Sequence, residues 1–367
     1  MKNCAVIGMG LLGRQHADRL HAHTTTRVAA VCDIKPERAQ AWAAANGAAA
    51  YADFDEMFDK EEIDLAVIAT QDPYHKAPLL SACAHKVPYV ISEKPLCTNL
   101  EDALEVQAAA KASGSEIKVL FPNRFYPLDR TIRMLVQGGY IGRPEYGEFR
   151  IDDNMDVPLR LWGKDSRQFA SISSPAFFLL SHAVDLLAFM FGRRVEKVYA
   201  IGKRSVIGSD VDYMDAFLTY EGGMTVRLKT EWTKRINRLC ENYLQFSGTE
   251  GGFTFNKTGG FLCDQGLSFV VDAGEAKALE AKARIEACGF SASVEPCGES
   301  GAYAVIMREC DAGNGFDWNS GICLYADTFD GEEDPLSPIT SLEGGIEQVR
   351  IVDALLRSAK ERREIEL

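Results

Sequence analysis

Residues 3–13 read NCAVIGMGLLG, and the fold turns on how they are read. A short apolar run ends at Gly8, and helical spacing begins at Leu11 and continues to His23. The join is Gly8-Met9-Gly10-Leu11-Leu12-Gly13, a GxGxxG loop between a strand and a helix. Alone that pattern is a weak signal. Its context is specific, because an acid, Asp33, follows twenty residues beyond Gly13 at the end of a second apolar run, RVAAVC (27–32). Each part has a physical role. Gly8 permits a tight turn, Gly10 lets backbone approach a pyrophosphate, and Gly13 lets helix and strand pack closely. The helix N-terminus offers free amides and the positive end of its dipole to phosphates. Asp33 would accept hydrogen bonds from the adenosine ribose and repel a 2′-phosphate, which favours NAD(H) over NADP(H). Lys35 and Arg38 soften that preference.

The same alternation continues outward from the loop. Pro36 to Asn46 is Ala-rich and helical, with Gly47 at the position that ends a helix. DLAVIAT (64–70) is a strand, followed by a helix near 75–85. PYVIS (88–92) is a strand, Thr98 to Ser113 a helix closed by Gly114, and Ile117 to Phe121 a strand. Thr98-Asn99-Leu100-Glu101 fits a capping box, in which Thr98 and Glu101 satisfy each other's free amides. Apolar strands alternating with helices predict a parallel sheet covered on both faces, with ligands at the carboxyl ends of its strands.

Composition narrows the class. A chain of 367 residues predicts two or three domains. Apolar content of 46 % and charged content of 25 % are those of a soluble globular protein. The net charge of −13 argues against nucleic acid or an anionic membrane as partner. No run of about 18 apolar residues is present to span a membrane. The N-terminus goes directly into a strand without a signal-peptide layout. Ten scattered cysteines without a CxxC predict free thiols in the cytoplasm. No His/Cys/Asp cluster has metal-ligand spacing, so no metal is expected.

From about residue 123 the pattern changes. EYGEFRID (145–152) is strand-like, an apolar helix follows near 176–191, and further strands fall at 194–203, 213–221, 224–232 and 242–247. Gly222-Gly223 marks a hairpin. In TVRLKTEW (225–232) apolar and polar residues alternate, which predicts a sheet with one covered and one polar face. Residues 257–338 predict strands and long loops, and Leu342 to Lys360 a final helix. The expected organisation is an NAD-binding domain over 1–122, an α/β domain with a large, mainly antiparallel open sheet over 123–340, and a C-terminal helix over 341–367 packing back on the body.

Five stretches in order resemble the Gfo/Idh/MocA oxidoreductases, the glucose–fructose oxidoreductase and inositol dehydrogenase family. They are GMGLLGRQH (8–16), ATQDPYHKAPLLSAC (69–83), SEKPL (92–96), NRFYP with GYIGRP (123–144) and HAVD (182–185). The resemblance implies a Rossmann domain, a C-terminal α/β domain, and dimers or tetramers built on its sheet. It also implies NAD(P)-linked chemistry on sugars, polyols and related hydroxy compounds. Cofactor contacts are then expected from Gly8, Gly10, Leu11, Leu12, Gly13, Asp33, Thr70, His75, Glu93 and Lys94.

Lys94 falls just past a strand, where such a sheet presents reacting groups. It can hold a substrate hydroxyl, polarise a carbonyl or move a proton, although a surface lysine is the bland alternative. The resemblance implies a cis bond to Pro95. His182 is the one histidine after residue 86, in an apolar helix where Ser181, His182 and Asp185 form a polar notch. A core histidine bonded to Asp185 or a carbonyl is the bland reading. The resemblance instead makes His182 the general base across the interdomain cleft from the nicotinamide. One position departs from the family: where an aspartate often precedes this histidine by four residues, this chain has Phe178, and Leu180 stands in place of a glycine. Asp153, Asp156 and Asp165 are candidate substitutes. Asn123, Arg124, Tyr126, Arg160, Trp162 and Asp185 are candidate substrate contacts, and His16 is a structural candidate.

The leading expectation is an NAD-dependent dehydrogenase acting on a secondary alcohol of a sugar, polyol or glycoside, with C3 of a glycosyl unit as the site of oxidation. Two alternatives stay open. One is a glycosidase using transient oxidation by retained NAD. The other is a non-enzymatic NAD(P)-binding regulator.

Overall fold

The computed structural model describes residues 1–161, 163, 166–208, 210–236, 238–257, 266–308, 321–330 and 338–367. Two units divide the chain. One comprises Met1–Pro122 with Asp317–Asp353, the other Asn123–Phe316 with Ala354–Leu367.

The first unit runs β1 (Lys2–Ile7), α1 (Leu11–Ala22), β2 (Thr26–Cys32), α2 (Pro36–Asn46), β3 (Ala49–Tyr51), α3 (Phe54–Lys60), β4 (Leu65–Ile68), α4 (Lys76–Ala84), β5 (Tyr89–Glu93), α5 (Leu100–Ser113) and β6 (Glu116–Leu120). The second runs α6 (Pro127–Gln137), β7 (Pro144–Asn154), α7 (Asp156–Arg160), α8 (Ser166–Ile172), a π turn (Ala176–Leu180), α9 (Ser181–Phe191), β8 (Val195–Lys203), β9 (Tyr213–Tyr220), β10 (Thr225–Lys234), β11 (Cys240–Gly248), β12 (Gly251–Asn256), β13 (Gly266–Val271), α10 (Glu275–Ala287), β14 (Ser293–Pro296) and β15 (Tyr303–Arg308). The chain closes with α11 (Gly321–Asp327), β16 (Thr340–Ser341), α12 (Leu342–Glu361) and β17 (Ile365–Glu366).

In the first unit the sheet order is β16-β6-β5-β4-β1-β2-β3. Six strands are parallel, and β16 pairs antiparallel with the β6 edge, Thr340 opposite Val119. The central strand β4 is apolar throughout, and all four of its residues are buried, because both faces of the sheet are covered there. The order reverses between β1 and β4, the switch point where the loops after neighbouring strands part and leave a crevice. The Tyr325 hydroxyl of α11 locks the returning segment to the edge. It donates to the Val119 carbonyl at 2.7 Å and accepts from the Thr340 amide at 3.1 Å.

One local expectation is corrected. The cap of α5 is Asn99 rather than Thr98: its side chain accepts from the Asp102 amide at 2.8 Å and donates to the Asp102 carboxylate at 2.6 Å. The box is displaced by one residue, and asparagine at the cap outcompetes threonine.

The second unit holds a ten-stranded sheet, ordered β14-β15-β13-β12-β11-β7-β10-β9-β8-β17. All neighbours are antiparallel except β7 and β10, which run parallel. In β10 the side chains at Val226, Leu228, Thr230 and Trp232 are buried and those between them are not. On the covered face an aromatic row, Phe191–Phe246–Phe253–Phe269, links α9 to β11, β12 and β13 at centroid spacings of 4.7, 5.3 and 4.9 Å. Gly147 of β7 sits opposite Phe246, where a Cβ would come within 2.2 Å of the ring. The opposite face carries ion pairs such as Arg227 with Asp215 at 2.6 Å. Between 257 and 338 the described residues include the helices α10 and α11 as well as strands, more helix than the sequence suggested.

The apolar helix expected over 176–191 is two pieces, since its first five residues form the π turn. No single described helix is long and apolar enough to cross a membrane.

Candidate functional site

In the first loop each glycine is held for a different reason. Gly8 has φ +94°, and a Cβ there would lie 2.5 Å from the Ala69 carbonyl oxygen. A Cβ on Gly13 would lie 1.8 Å from the Gly8 carbonyl, so α1 rests directly on the loop. Gly10 has no neighbouring atom within 4 Å of where its Cβ would stand. The loop is therefore packed at both ends and open in the middle. Gly10 caps α1 without a side chain, which leaves the first amides available. Leu11 and Leu12 are exposed beside it. A recess of ≈ 460 Å³ adjoins the opening, lined by Met9, Gly10, Leu11, Arg14, Gln15, Asp18 and Arg38.

Asp33, 6 % exposed, joins the first loop to the end of β2. One carboxylate oxygen accepts from the Met9 amide at 2.8 Å and the other from the Lys35 amide at 2.8 Å. These two bonds fix the carboxylate, and each oxygen keeps a further lone pair for a ribose hydroxyl. An open glycine, uncapped amides and an anchored acid fit a dinucleotide.

At the carboxyl end of β5 the chain buries Ser92, Glu93 and Lys94 in succession. The Lys94–Pro95 bond is cis. Glu93 accepts from His16 Nε2 at 2.7 Å, and its other oxygen lies 3.2 Å from the Lys94 amide. Burial pushes the Glu93 carboxyl up, but the His16 hydrogen bond and the charges of His16, Lys94 and His75 outweigh it and hold the group below its ordinary value. His75 is buried, with Nδ1 2.6 Å from the Pro95 carbonyl and Nε2 3.0 Å from the Thr70 carbonyl. Thr70 donates its hydroxyl to the Tyr74 carbonyl at 3.0 Å.

In the second unit His182 is half-buried at the start of α9. Asp185 is buried, and its carboxylate is gripped by Arg124, with Nε at 2.9 Å and 3.1 Å from the two oxygens and Nη2 at 2.7 Å. The Arg124 guanidinium lies 5.1 Å from the Phe189 ring centre. Phe178 packs with Phe169 and Trp232 at 5.6 and 5.8 Å, so an aromatic cluster occupies the position where the resemblance led one to look for an acid. Asn123 and Tyr126 are buried. Asp153 is buried at the end of β7, and Asp156 pairs with the exposed Arg160 at 3.2 Å. Trp162 and Asp165 lie outside the described residues.

Two features escaped the sequence reading. Lys257 pairs with Asp129 at 2.5 Å, both buried, with the ammonium 5.4 Å from the Tyr126 ring centre. Nothing in sequence links positions so far apart. The other is the His16–Glu93 contact, for which the only signal was a histidine on the first helix face.

Comparison with known proteins places this arrangement. Residues 2–121 match the model described as oxidoreductase family, NAD-binding Rossmann fold, and residues 130–254 match the GFO/IDH/MocA C-terminal domain. Inositol 2-dehydrogenase 1 of Mycolicibacterium vanbaalenii is 37 % identical over 143 residues, which span 38 % of this chain and 41 % of that protein. Trans-1,2-dihydrobenzene-1,2-diol dehydrogenase of Oryctolagus cuniculus is 27 % identical over 251 residues, 67 % of this chain and 73 % of that one. Among solved structures, an inositol dehydrogenase homolog from Azotobacter vinelandii, complexed with NADH and myo-inositol, has a TM-score of 0.76 at 16 % identity, covering 100 % of this chain and 97 % of that one.

Proposed function

Because this chain belongs to the Gfo/Idh/MocA oxidoreductase family, we propose that it is an NAD-dependent dehydrogenase acting on a secondary alcohol of a sugar, polyol or glycoside. The observation that carries this reading is the pairing, in one sheet, of an open glycine loop with a buried lysine at the end of β5. The amides following Gly10 hold the pyrophosphate, and Asp33 holds the adenosine ribose. Leu11 and Leu12 cover the dinucleotide, and Thr70 flanks it. When bound, NAD supplies the hydride acceptor or donor. Lys94 holds the alcohol oxygen, and His182 takes the hydroxyl proton during oxidation and returns it during reduction. Asn123, Arg124, Tyr126 and Arg160 are the substrate contacts of this reading, with Asp185 fixing Arg124. The protein works in the cytoplasm as a homo-dimer or homo-tetramer.

Relatives named for inositol and for a cyclic dihydrodiol put cyclic polyols and cyclic diols first among substrates to try. The finer reading is oxidation at C3 of a glycosyl unit. The test is absorbance at 340 nm with NAD⁺ and a panel of polyols, sugars and glycosides, alongside Lys94→Ala and His182→Ala. A rise with one substrate class, reduced at least about a hundredfold in both variants, is the expected result. NMR of the product locates the oxidised carbon. Aglycone release without NADH would replace the dehydrogenase by a glycosidase. Phe178, packed with Phe169 and Trp232 where the family often places an acid, favours a regulator as the second reading. NAD binding with no turnover on any substrate would select it.

A further inference from the structure

We propose that His16 and His75 are positioning residues that clamp the chain immediately before and immediately after Lys94. The inference rests on the reading that Lys94 is a reacting group. A lysine carries four rotatable bonds and about 2 kcal/mol of rotamer entropy, so its usefulness depends on how firmly its backbone is held.

The clamp before Lys94 is His16. Its ring is 1 % exposed on α1, one turn past Gly13. Nε2 meets the Glu93 carboxylate at 2.7 Å, while buried Nδ1 makes no hydrogen bond among the described residues. Among the described residues the ring therefore has a single polar partner. An ionised carboxylate only accepts, so the proton sits on Nε2 and the ring donates. Glu93, thus fixed, accepts the Lys94 amide on its other oxygen. It is also the anion beside which a lysine can be buried, since an unpaired buried ammonium is disfavoured.

The clamp after Lys94 is His75, also 1 % exposed. The shorter of its contacts, 2.6 Å to the Pro95 carbonyl, places a proton on Nδ1. The other nitrogen faces the Thr70 carbonyl at 3.0 Å and serves it when a second proton is present. His75 thereby ties the residue following Lys94 to the end of the β4 loop. The titratable groups around Glu93 are His16 from α1, Lys94 on its own strand and His75 from the segment before α4. Lys94 is thus bracketed by the helix that starts at the glycine loop and by the loop after β4. The two histidines gather three loops at the switch side of the sheet around one side chain.

The test begins on the unmodified protein, labelled with ¹⁵N in its histidine rings and assigned with His16→Gln and His75→Gln. The expected spectrum shows slowly exchanging ring protons on His16 Nε2 and His75 Nδ1. Rapid exchange at both rings would overturn the proposal. The functional arm compares His16→Leu and His75→Leu with the parent. In His16→Leu, NADH affinity, read by nicotinamide fluorescence, should stay within about twofold, while in both variants kcat falls about tenfold or more and KM changes little. His16→Gln, whose amide can still donate to Glu93, should recover most of that loss. Unchanged kcat in both leucine variants, or a loss in His16→Leu matched by lost NADH affinity, would refute positioning. If the parent oxidises no substrate, the proposed reaction fails, and the clamp is then judged by the rate at which a neutral aryl fluoride labels Lys94. That rate should rise about fivefold in the leucine variants as the side chain loosens. An equal rate in all three proteins would refute the clamp separately from the reaction.

Discussion

Glu93 shows how a single side chain can carry a pH dependence. Its neighbours hold it below the ordinary carboxylate value despite burial. The native state therefore binds this proton less tightly than the unfolded chain does. Ionised Glu93 contributes stability that is complete above the unfolded-state value and is lost as pH falls through the native one. The Tm gap between the parent and Glu93→Gln should be widest near neutrality, with the parent higher, and should narrow as pH falls below the ordinary Glu value of about 4.3. A gap that is constant with pH would contradict this. Thiols offer a second check. Burial pushes Cys4, Cys32 and Cys97 up to about 12 and Cys240 to about 11, whereas Cys288 is exposed. The thiolate is the nucleophile. At pH 7.5 a disulfide reagent should therefore, among the described cysteines, label Cys288 first and reach Cys4, Cys32 and Cys97 only on unfolding, as peptide mapping would read. At this scale the sequence was legible where function is local. The spacing of three glycines and Asp33 marks the tight turn and the acid that the structure ties to it through the Met9 amide. The His16–Glu93 bond joins positions 77 apart, and no periodicity connects them.

Elements were legible where one period ran uninterrupted. The alternation in β10 is visible in the letters TVRLKTEW, and its buried and open positions follow it. Helix α10, EAKALEAKARIEA, is built from strong helix formers and buries Ala278, Ala281 and Ile285 at helical spacing. It was lost to sight among the glycines and acids around it. The π turn before α9 was not readable, since its extra residue per turn leaves the apolar composition unchanged. Pairing sets the tolerance of β7. Gly147 faces Phe246, itself part of the aromatic row, and a Cβ would reach within 2.2 Å of the ring. Gly147→Ala should destabilise the protein by about 1–3 kcal/mol through forced repacking, measured by urea unfolding. A loss below half of that range would show that Phe246 can swing aside.

On the scale of the whole molecule, the sequence pattern changes near residue 123, and the chain divides into a unit built on a mainly parallel sheet and a unit built on a mainly antiparallel one. What the pattern did not reveal is that each unit is assembled from two stretches of chain. The parallel neighbours β7 and β10 were equally hidden, because β8 and β9 intervene in sequence. A fragment of residues 1–122 holds every parallel strand of the first sheet but lacks β16 and Tyr325. It should be less soluble than the full chain and unfold with reduced cooperativity, by sedimentation and thermal scans. Adding residues 317–353 through a short linker should restore both.

That returning segment also imposes an order in time. The Tyr325 hydroxyl that holds Val119 is 206 positions downstream of it, and β16 follows later still. At a synthesis rate of about 5–20 residues per second, the outer edge of β6 emerges from the ribosome and waits roughly 10–40 s for its partner. An unpaired edge is the part of a nascent sheet most open to a wrong neighbour. During that wait the cell is making the second unit, so the first sheet to be started is among the last to be finished.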